Sequence, residues 1–257
     1  MTTSYPIDAG TISVAVESGI ATVSFSHPKS NSLPGALLGK LAATFDSLAV
    51  NDDARVIVLR SEGTKAFCAG ASFDELRSIG DSERGLEFFS GFAHVILAMR
   101  RCPKFIVTRV HGRAVGGGVG LVAASDYAIA ASHAQVKLSE LAIGIGPFVV
   151  GPVIEHRIGR GHFAALSIDV DWRDAAWAKH AALYSRVEDS LPALDAAVEI
   201  LVQTLAQVNP DAMRELKRIF WSGTDHWDTL LFERAATSGA LILSDFSQRA
   251  LIALSKS

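Results

Sequence analysis

The sequence predicts an α/β core followed by a helical carboxyl-terminal region. Three observations predict it. Short apolar runs alternate with stretches of helical periodicity through the first part of the chain, the signature of an α/β unit. The glycine-rich stretch Arg109–Gly120 (RVHGRAVGGGVG) follows the apolar run Phe105–Val107 and leads into Leu121–Ala124, which reads as strand, loop and helix start. From Val153 onward the apolar spacing is helical to the end. A length of 257 residues suits one large domain, or a domain with a helical appendage.

Taken in order, Thr11–Val16 alternates as a strand, Glu17-Ser18-Gly19 turns it, and Ile20–Phe25 returns, a predicted hairpin. His27–Ser32 is a loop of turn-forming residues. Pro34 opens a helix whose apolar face is Leu37, Leu38, Leu41, Phe45 and Leu48. Arg55–Leu59 is a short buried strand, and Ser61–Ser72 a second loop of small residues. Phe73–Ile79 and Glu83–Arg100 read as helices, the second ended by Cys102-Pro103. Phe105–Val110 is the strand that feeds the glycine loop, and Asp126–Ala130 and Gln135–Leu138 are further short strands. The helical pieces that follow are Val153–Arg157, His162–Ile168, Arg173–Ala181, Pro192–Val208, Asp211–Trp221 and Trp227–Ser255, with a break near Gly239.

Composition narrows the function classes. The chain is 49% hydrophobic and 20% charged, enough to bury a large core. Its formal charge of −3 and lack of a basic run point away from nucleic acid. The two cysteines, Cys68 and Cys102, form neither a CxxC pair nor a zinc pattern, and no metal site is expected. No stretch of about 18 apolar residues suggests a membrane span, and MTTSYPIDAG lacks the pattern of a signal peptide, so a soluble cytoplasmic protein is expected.

Two features carry chemistry. At Gly116-Gly117-Gly118 bare backbone reaches the mouth of a predicted helix. Helix-initial N–H groups lack internal partners and lie at the positive end of the dipole, which suits a phosphate or an oxyanion. The same glycines would equally serve close packing of helix on strand. The second feature is Glu140, set among Leu138, Leu141, Ala142 and Ile143. A carboxyl there either finds a partner or has a raised pKa, which suits a proton shuttle; the alternative is a surface acid in the first turn of a helix. Gly118-Val119-Gly120-Leu121-Val122-Ala123 formally matches the dinucleotide fingerprint GxGxxA. Because residues 111–117 separate it from the strand end, it is discounted.

Three segments together resemble the crotonase, or enoyl-CoA hydratase/isomerase, superfamily. Lys65–Ala71 (KAFCAGA) is similar to its first oxyanion loop, Val110–Gly118 to its second, and Ser139–Gly146 (SELAIGIG) to the segment bearing its catalytic glutamate. His27-Pro28 and Asn31-Ser32-Leu33 are similar to its amino-terminal loop. The order and spacing fit over roughly Ile12 to Val187. The resemblance implies a ββα spiral core over residues 1–190 and a helical trimerisation region over 191–257, giving a homotrimer or hexamer. It implies that the N–H groups of Ala71 and Gly117 hold the thioester oxygen of an acyl-CoA while Glu140 moves protons, with no cofactor beyond the coenzyme A of the substrate. Lys29 and the backbone of Lys65, Ala66 and Phe67 lie on loops the family uses around the CoA nucleotide. Ala69, Gly70 and Gly116 flank the oxyanion residues, and Phe148, with Val149 and Val150, suggests an apolar acyl pocket.

The sequence also departs from the family pattern. Gly120 stands where two-glutamate hydratases carry their other glutamate, Phe148 where dienoyl-CoA isomerases and aryl-CoA dehalogenases place an aspartate, and Ser72 where an acid commonly follows the first oxyanion residue. Glycine at the Gly120 position is also similar to methylglutaconyl-CoA hydratase-like members. One glutamate suits hydration of a 2-enoyl-CoA, slightly favoured, or isomerisation of a 3-enoyl-CoA; a non-catalytic acyl-CoA binder is the third possibility.

Overall fold

The computed structural model describes residues 10–254. The chain builds two sheets in alternation. Strands β1 (Thr11–Glu17) and β2 (Ile20–Ser26) form the expected antiparallel hairpin, with Glu17 opposite Ile20. Helix α1 (Gly35–Ala49) follows, and β3 (Val56–Ser61) pairs parallel to β2. From there one strand enters the larger sheet, the next a smaller one, and a helix closes the turn. Thus β3 is followed by β4 (Ala66–Cys68), α2 (Phe73–Ser78) and α3 (Ser82–Arg101). In the next turn β5 (Ile106–Val110) is followed by β6 (Arg113–Val115) and α4 (Gly117–Ala124). Then β7 (Tyr127–Ala131) is followed by β8 (Gln135–Lys137) and α5 (Gly151–Ile168). The larger sheet runs β1-β2-β3-β5-β7-β10 and the smaller β4-β6-β8-β9, where β9 is Arg173–Asp174 and β10 is Arg186–Glu188. This ββα spiral is the fold the sequence predicts.

Period-2 burial sorts the larger sheet into two faces. Ile57, Leu59, Ile106, Val110, Ala128 and Ala130 face inward, toward α1, α3 and the smaller sheet. Val56, Val58, Val107, Ile129 and Ala131 face outward and are covered by α7 (Leu191–Ala206) through Leu194, Ala197, Val198 and Val202. Both faces are apolar because a parallel sheet of this kind is covered on both sides.

Three expectations need correction. The chain is not purely helical after Val153, since β9 and β10 return to the two sheets. The small-residue loop and the glycine loop each contain a strand, β4 and β6. Val153–Arg157 and His162–Ile168 belong to one helical segment, broken at Gly159 by φ 75° and ψ 157°. The last helical piece breaks near Gly239 as expected: α9 is Trp227–Leu241 and α10 Asp245–Leu254, while Ser255 lies outside the described residues. Gly239 itself allows α9 to touch α3, since a Cβ there would come within 2.8 Å of the Gly85 carbonyl carbon.

A buried polar cluster ties α8 (Pro210–Phe220) to the core. Lys217 donates to the Asp126 carboxylate at 2.8 Å and to the Lys104 carbonyl at 2.8 Å. Asp126 also accepts from the Ile106 backbone N–H at 2.8 Å and from the Trp221 indole at 3.4 Å. With every charge partnered, the pair tolerates burial; removal of one partner would strand the other.

Candidate active site

The site forms where the first two turns of the spiral meet. The loop Cys68–Ser72 runs beside Leu33: the Leu33 N–H donates to the Gly70 carbonyl at 2.7 Å, and the Ser72 N–H donates to the Leu33 carbonyl at 3.2 Å. Both neighbours of Ala71 thus bond toward Leu33, which directs the Ala71 N–H the opposite way. Ser72, in place of the family's acid, caps α2 by accepting from the Glu75 N–H.

The second loop delivers the start of α4. Gly116 has φ 52° and ψ −115°, a conformation that disfavours any side chain. A Cβ there would also lie 2.7 Å from Glu140 Oε1, so glycine is required by backbone and by space together. The Gly116 N–H donates to the Lys137 carbonyl at 2.9 Å, which anchors the turn on β8. Gly117 is the first residue of α4, so its N–H has no intrahelical acceptor. Among the described residues, neither Ala71 N–H nor Gly117 N–H has a backbone acceptor outside regular helix and strand ladders. Gly70 lets the loops touch, since a Cβ there would be 2.7 Å from the Val115 carbonyl.

The glycine run divides in two. Gly116 and Gly117 line the cavity, whereas Gly118 packs α4 onto β4, since a Cβ there would lie 2.7 Å from Cys68 Cβ. Gly118 and Gly120 lie inside α4 rather than in a strand-to-helix turn, so the GxGxxA match has no dinucleotide geometry.

Glu140 faces Gly116 across the cavity. It opens a short 3₁₀ turn, Leu141–Ile143, but its side chain caps nothing there. Its Oε2 is buried without a hydrogen-bond partner. Burial raises the carboxyl from an ordinary 4.5 to about 7, against a smaller opposing pull from the backbone amides of Glu140 and Ser139. The helix-start surface acid is thereby excluded.

A cavity of about 50 Å³ joins Ala69, Gly70, Ala71, Gly116, Gly117, Glu140 and Phe148. Phe89 and Phe92 of α3 and Ser238 of α9 also line it, and nothing in the local sequence pointed to them. They arrive through tertiary packing of α3 against α9. An adjoining hollow shares Ala69 and Val115 with the first and is lined by Lys65, Ala66, Arg113, His133 and Trp172. There Arg113 lies 4.9 Å from the Trp172 ring centre. Lys29 lines neither hollow; it pairs with Asp74. Phe67 lines neither and packs edge-on against Phe25 in the core.

Near the loops, Cys68 and His111 are buried in their neutral forms. Burial pushes the Cys68 thiol up to about 12. His111 is buried with both ring nitrogens unpartnered, and burial with the Arg109 and His133 charges lowers it to about 4, so it is neutral. His94 is exposed and packs edge-on against Phe232. No three-residue His/Cys/Asp/Glu metal cluster, and no single helix long and apolar enough to cross a membrane, occurs among the described residues.

A spiral of ββα turns, with a glycine helix start beside one buried carboxyl, defines a recognisable class. The family model described as enoyl-CoA hydratase/isomerase matches residues 15–241, and the chain belongs to this family. It is 33% identical over 196 residues to the mitochondrial methylglutaconyl-CoA hydratase of Rattus norvegicus, covering 73% of this chain and 60% of that one. It is 31% identical over 166 residues to the (7aS)-7a-methyl-1,5-dioxo-2,3,5,6,7,7a-hexahydro-1H-indene-carboxyl-CoA hydrolase of Mycobacterium tuberculosis, covering 61% of this chain and 64% of that one. The chain thus spans less than two thirds of the length of these relatives. Among solved structures, enoyl-CoA hydratase from Bacillus halodurans superposes with a TM-score of 0.88 at 18% identity, over 94% of this chain and 99% of that one. The enoyl-CoA hydratase of Mycobacterium smegmatis does so with 0.79 at 28% identity, over 95% and 96%.

Proposed function

We propose that the protein adds water across the double bond of a 2-enoyl-CoA thioester, with Glu140 as its sole acid–base. The observation that carries this reading is the buried, unpartnered Glu140 carboxyl beside the Gly116–Gly117 turn. In the ionised form Glu140 takes a proton from water as its oxygen bonds to the β-carbon. The electron pair of the double bond moves onto the thioester oxygen, where the Ala71 and Gly117 N–H groups stabilise the enolate. One such donor is typically worth about 3 kcal/mol. Glu140 then returns the proton to the α-carbon, and the net addition is one water. A carboxyl with a pKa of about 7 can serve both steps near neutral pH.

The nucleotide end of the coenzyme would occupy the adjoining hollow, where Trp172 offers a stacking face and Lys65 and Arg113 offer positive charge. This places Arg113 and Trp172 in a role first assigned to Lys29. A trimer or hexamer built through the helical tail completes the reading; Leu241 and Phe246 are exposed apolar side chains on or beside α9 and α10. Sedimentation at one subunit's mass would refute that assembly.

A second reading, isomerisation of a 3-enoyl-CoA, is favoured by one feature. A Cβ at Gly120 would lie 2.7 Å from Val150 Cγ1, so an apolar side chain fills the space beside the missing glutamate. Absorbance of the conjugated enoyl thioester separates the readings. Loss of the band with a 2-enoyl-CoA means hydration, and gain with a 3-enoyl-CoA means isomerisation. Either activity surviving intact in Glu140→Ala would overturn the catalytic assignment.

A further inference from the structure

The cavity holding Glu140 has walls that bear on which acyl group it accepts. Its side chains are apolar or small, and Glu140 is the one ionisable group lining it among the described residues. Its volume is about 50 Å³. Pockets that bury a drug-sized ligand span about 300–1,000 Å³, so the space suits a short group rather than a long chain. Two walls are seated directly on glycines. The Phe148 ring lies 2.6 Å from where a Gly146 Cβ would be, and Val150 Cγ1 lies 2.7 Å from where a Gly120 Cβ would be. Each wall therefore occupies space that any side chain on its floor would take.

We propose, on the reading that this cavity is the acyl site, that it selects a short, uncharged acyl group, with Phe148 and Val150 as the side chains that set its length. A carboxylate at the far end of the acyl chain would lose its water, meet no cation on these walls, and share the space with Glu140. A long apolar chain would meet the Phe148 ring and the Val150 methyls. This separates the chain from the rat relative of 33% identity, whose name specifies a methylglutaconyl group, itself a dicarboxylic acyl chain.

The test is binding of saturated thioesters to the full chain by titration calorimetry, which needs no turnover. Butyryl-CoA, glutaryl-CoA and dodecanoyl-CoA serve as the short neutral, short anionic and long neutral probes. Butyryl-CoA is expected to bind at least tenfold more tightly than either of the others. Phe148→Ala and Val150→Ala are each expected to shift the dodecanoyl-to-butyryl affinity ratio at least tenfold toward the long chain. Circular dichroism and the butyryl-CoA titration confirm that each variant is folded. Glutaryl-CoA binding as tightly as butyryl-CoA, or an unchanged ratio in both folded variants, would overturn the proposal while leaving the acyl-CoA reading intact. Failure of all three esters to bind the native chain would overturn both.

Discussion

The contact between Gly120 and Val150 can be measured as a coupling energy. Gly120 lies in the middle of α4, a helix buried at every residue. In an open helix, replacing glycine by alanine would stabilise by about 1 kcal/mol. Here the added Cβ would lie 2.7 Å from Val150 Cγ1 and 2.9 Å from Val150 Cβ, closer than real Cβ atoms approach. Overpacking of this kind costs about 1–3 kcal/mol, so Gly120→Ala should be neutral to destabilising by about 2 kcal/mol. Val150→Ala alone removes two buried methyl groups and should cost about 2 kcal/mol.

In the double variant the clash is gone, the alanine Cβ refills part of the space, and the helix preference returns. The expected total is about 1 kcal/mol, less than the sum of the single changes, with a coupling of about 1–3 kcal/mol. Urea unfolding of the four proteins, with midpoints compared at a common m-value, reads this directly. Additivity to within about 0.5 kcal/mol would refute the contact, and with it the claim that Val150 occupies the place beside the absent acid. The same geometry predicts that Gly120→Glu is tolerated only when Val150 is cut to glycine or alanine.

Four further outcomes follow from the site and the core. Glu140 keeps its proton in the folded chain up to about pH 7 but releases it near 4.5 when unfolded. Its contribution to stability is therefore full below about pH 4.5 and lost as pH rises through about 7, so Glu140→Gln should gain on the native protein above pH 7, by at most about 3 kcal/mol. Denaturation at pH 4.5 and 8.5 checks the sign, and an equal effect at both would contradict the burial argument. For catalysis, log kcat/KM should rise with unit slope toward a plateau above about pH 7, and Glu140→Gln should lower it by about 10²–10⁴. Lys217→Met strands the buried Asp126 carboxylate and should cost about 3–5 kcal/mol, a Tm fall of roughly 6–20 °C; a fall below 2 °C would refute the pairing. Arg113→Ala and Trp172→Ala should raise KM with kcat unchanged, since they touch only the hollow proposed for the nucleotide; an equal fall in kcat would place them in the chemistry instead.

What the sequence reveals depends on how far each signal reaches along the chain. The hairpin, α1, α3 and the strands β3, β5 and β7 were legible because five or more residues repeat a period. Strands β4, β6, β9 and β10 were not, because two or three residues hold no period, and they exist only through pairing across the spiral. The same distinction runs through the site. Glu140 stood out because its charge breaks an apolar run, and Gly116 because glycine there concentrates a backbone demand. Lys29 stood out too, yet its charge is met by Asp74, forty-five residues away in the chain, and that partner carries no sequence signal. Conversely Phe89, Phe92 and Ser238 look like ordinary helix positions, and only the packing of α3 on α9 brings them to the cavity wall.

Val150 shows why the missing acid could be seen but not interpreted from the sequence. Gly120 reads as a lost carboxylate. In the fold it is a floor, and the residue standing on it comes from thirty positions later, at the mouth of α5. A glycine that has simply lost a side chain leaves a cavity; a glycine with a valine methyl 2.7 Å from its absent Cβ belongs to a repacked wall. The site proposed for a single acid is thus more than a two-acid site with one group removed. Glycine and valine have to change together, so restoring the acid by one substitution works against the packing rather than with it.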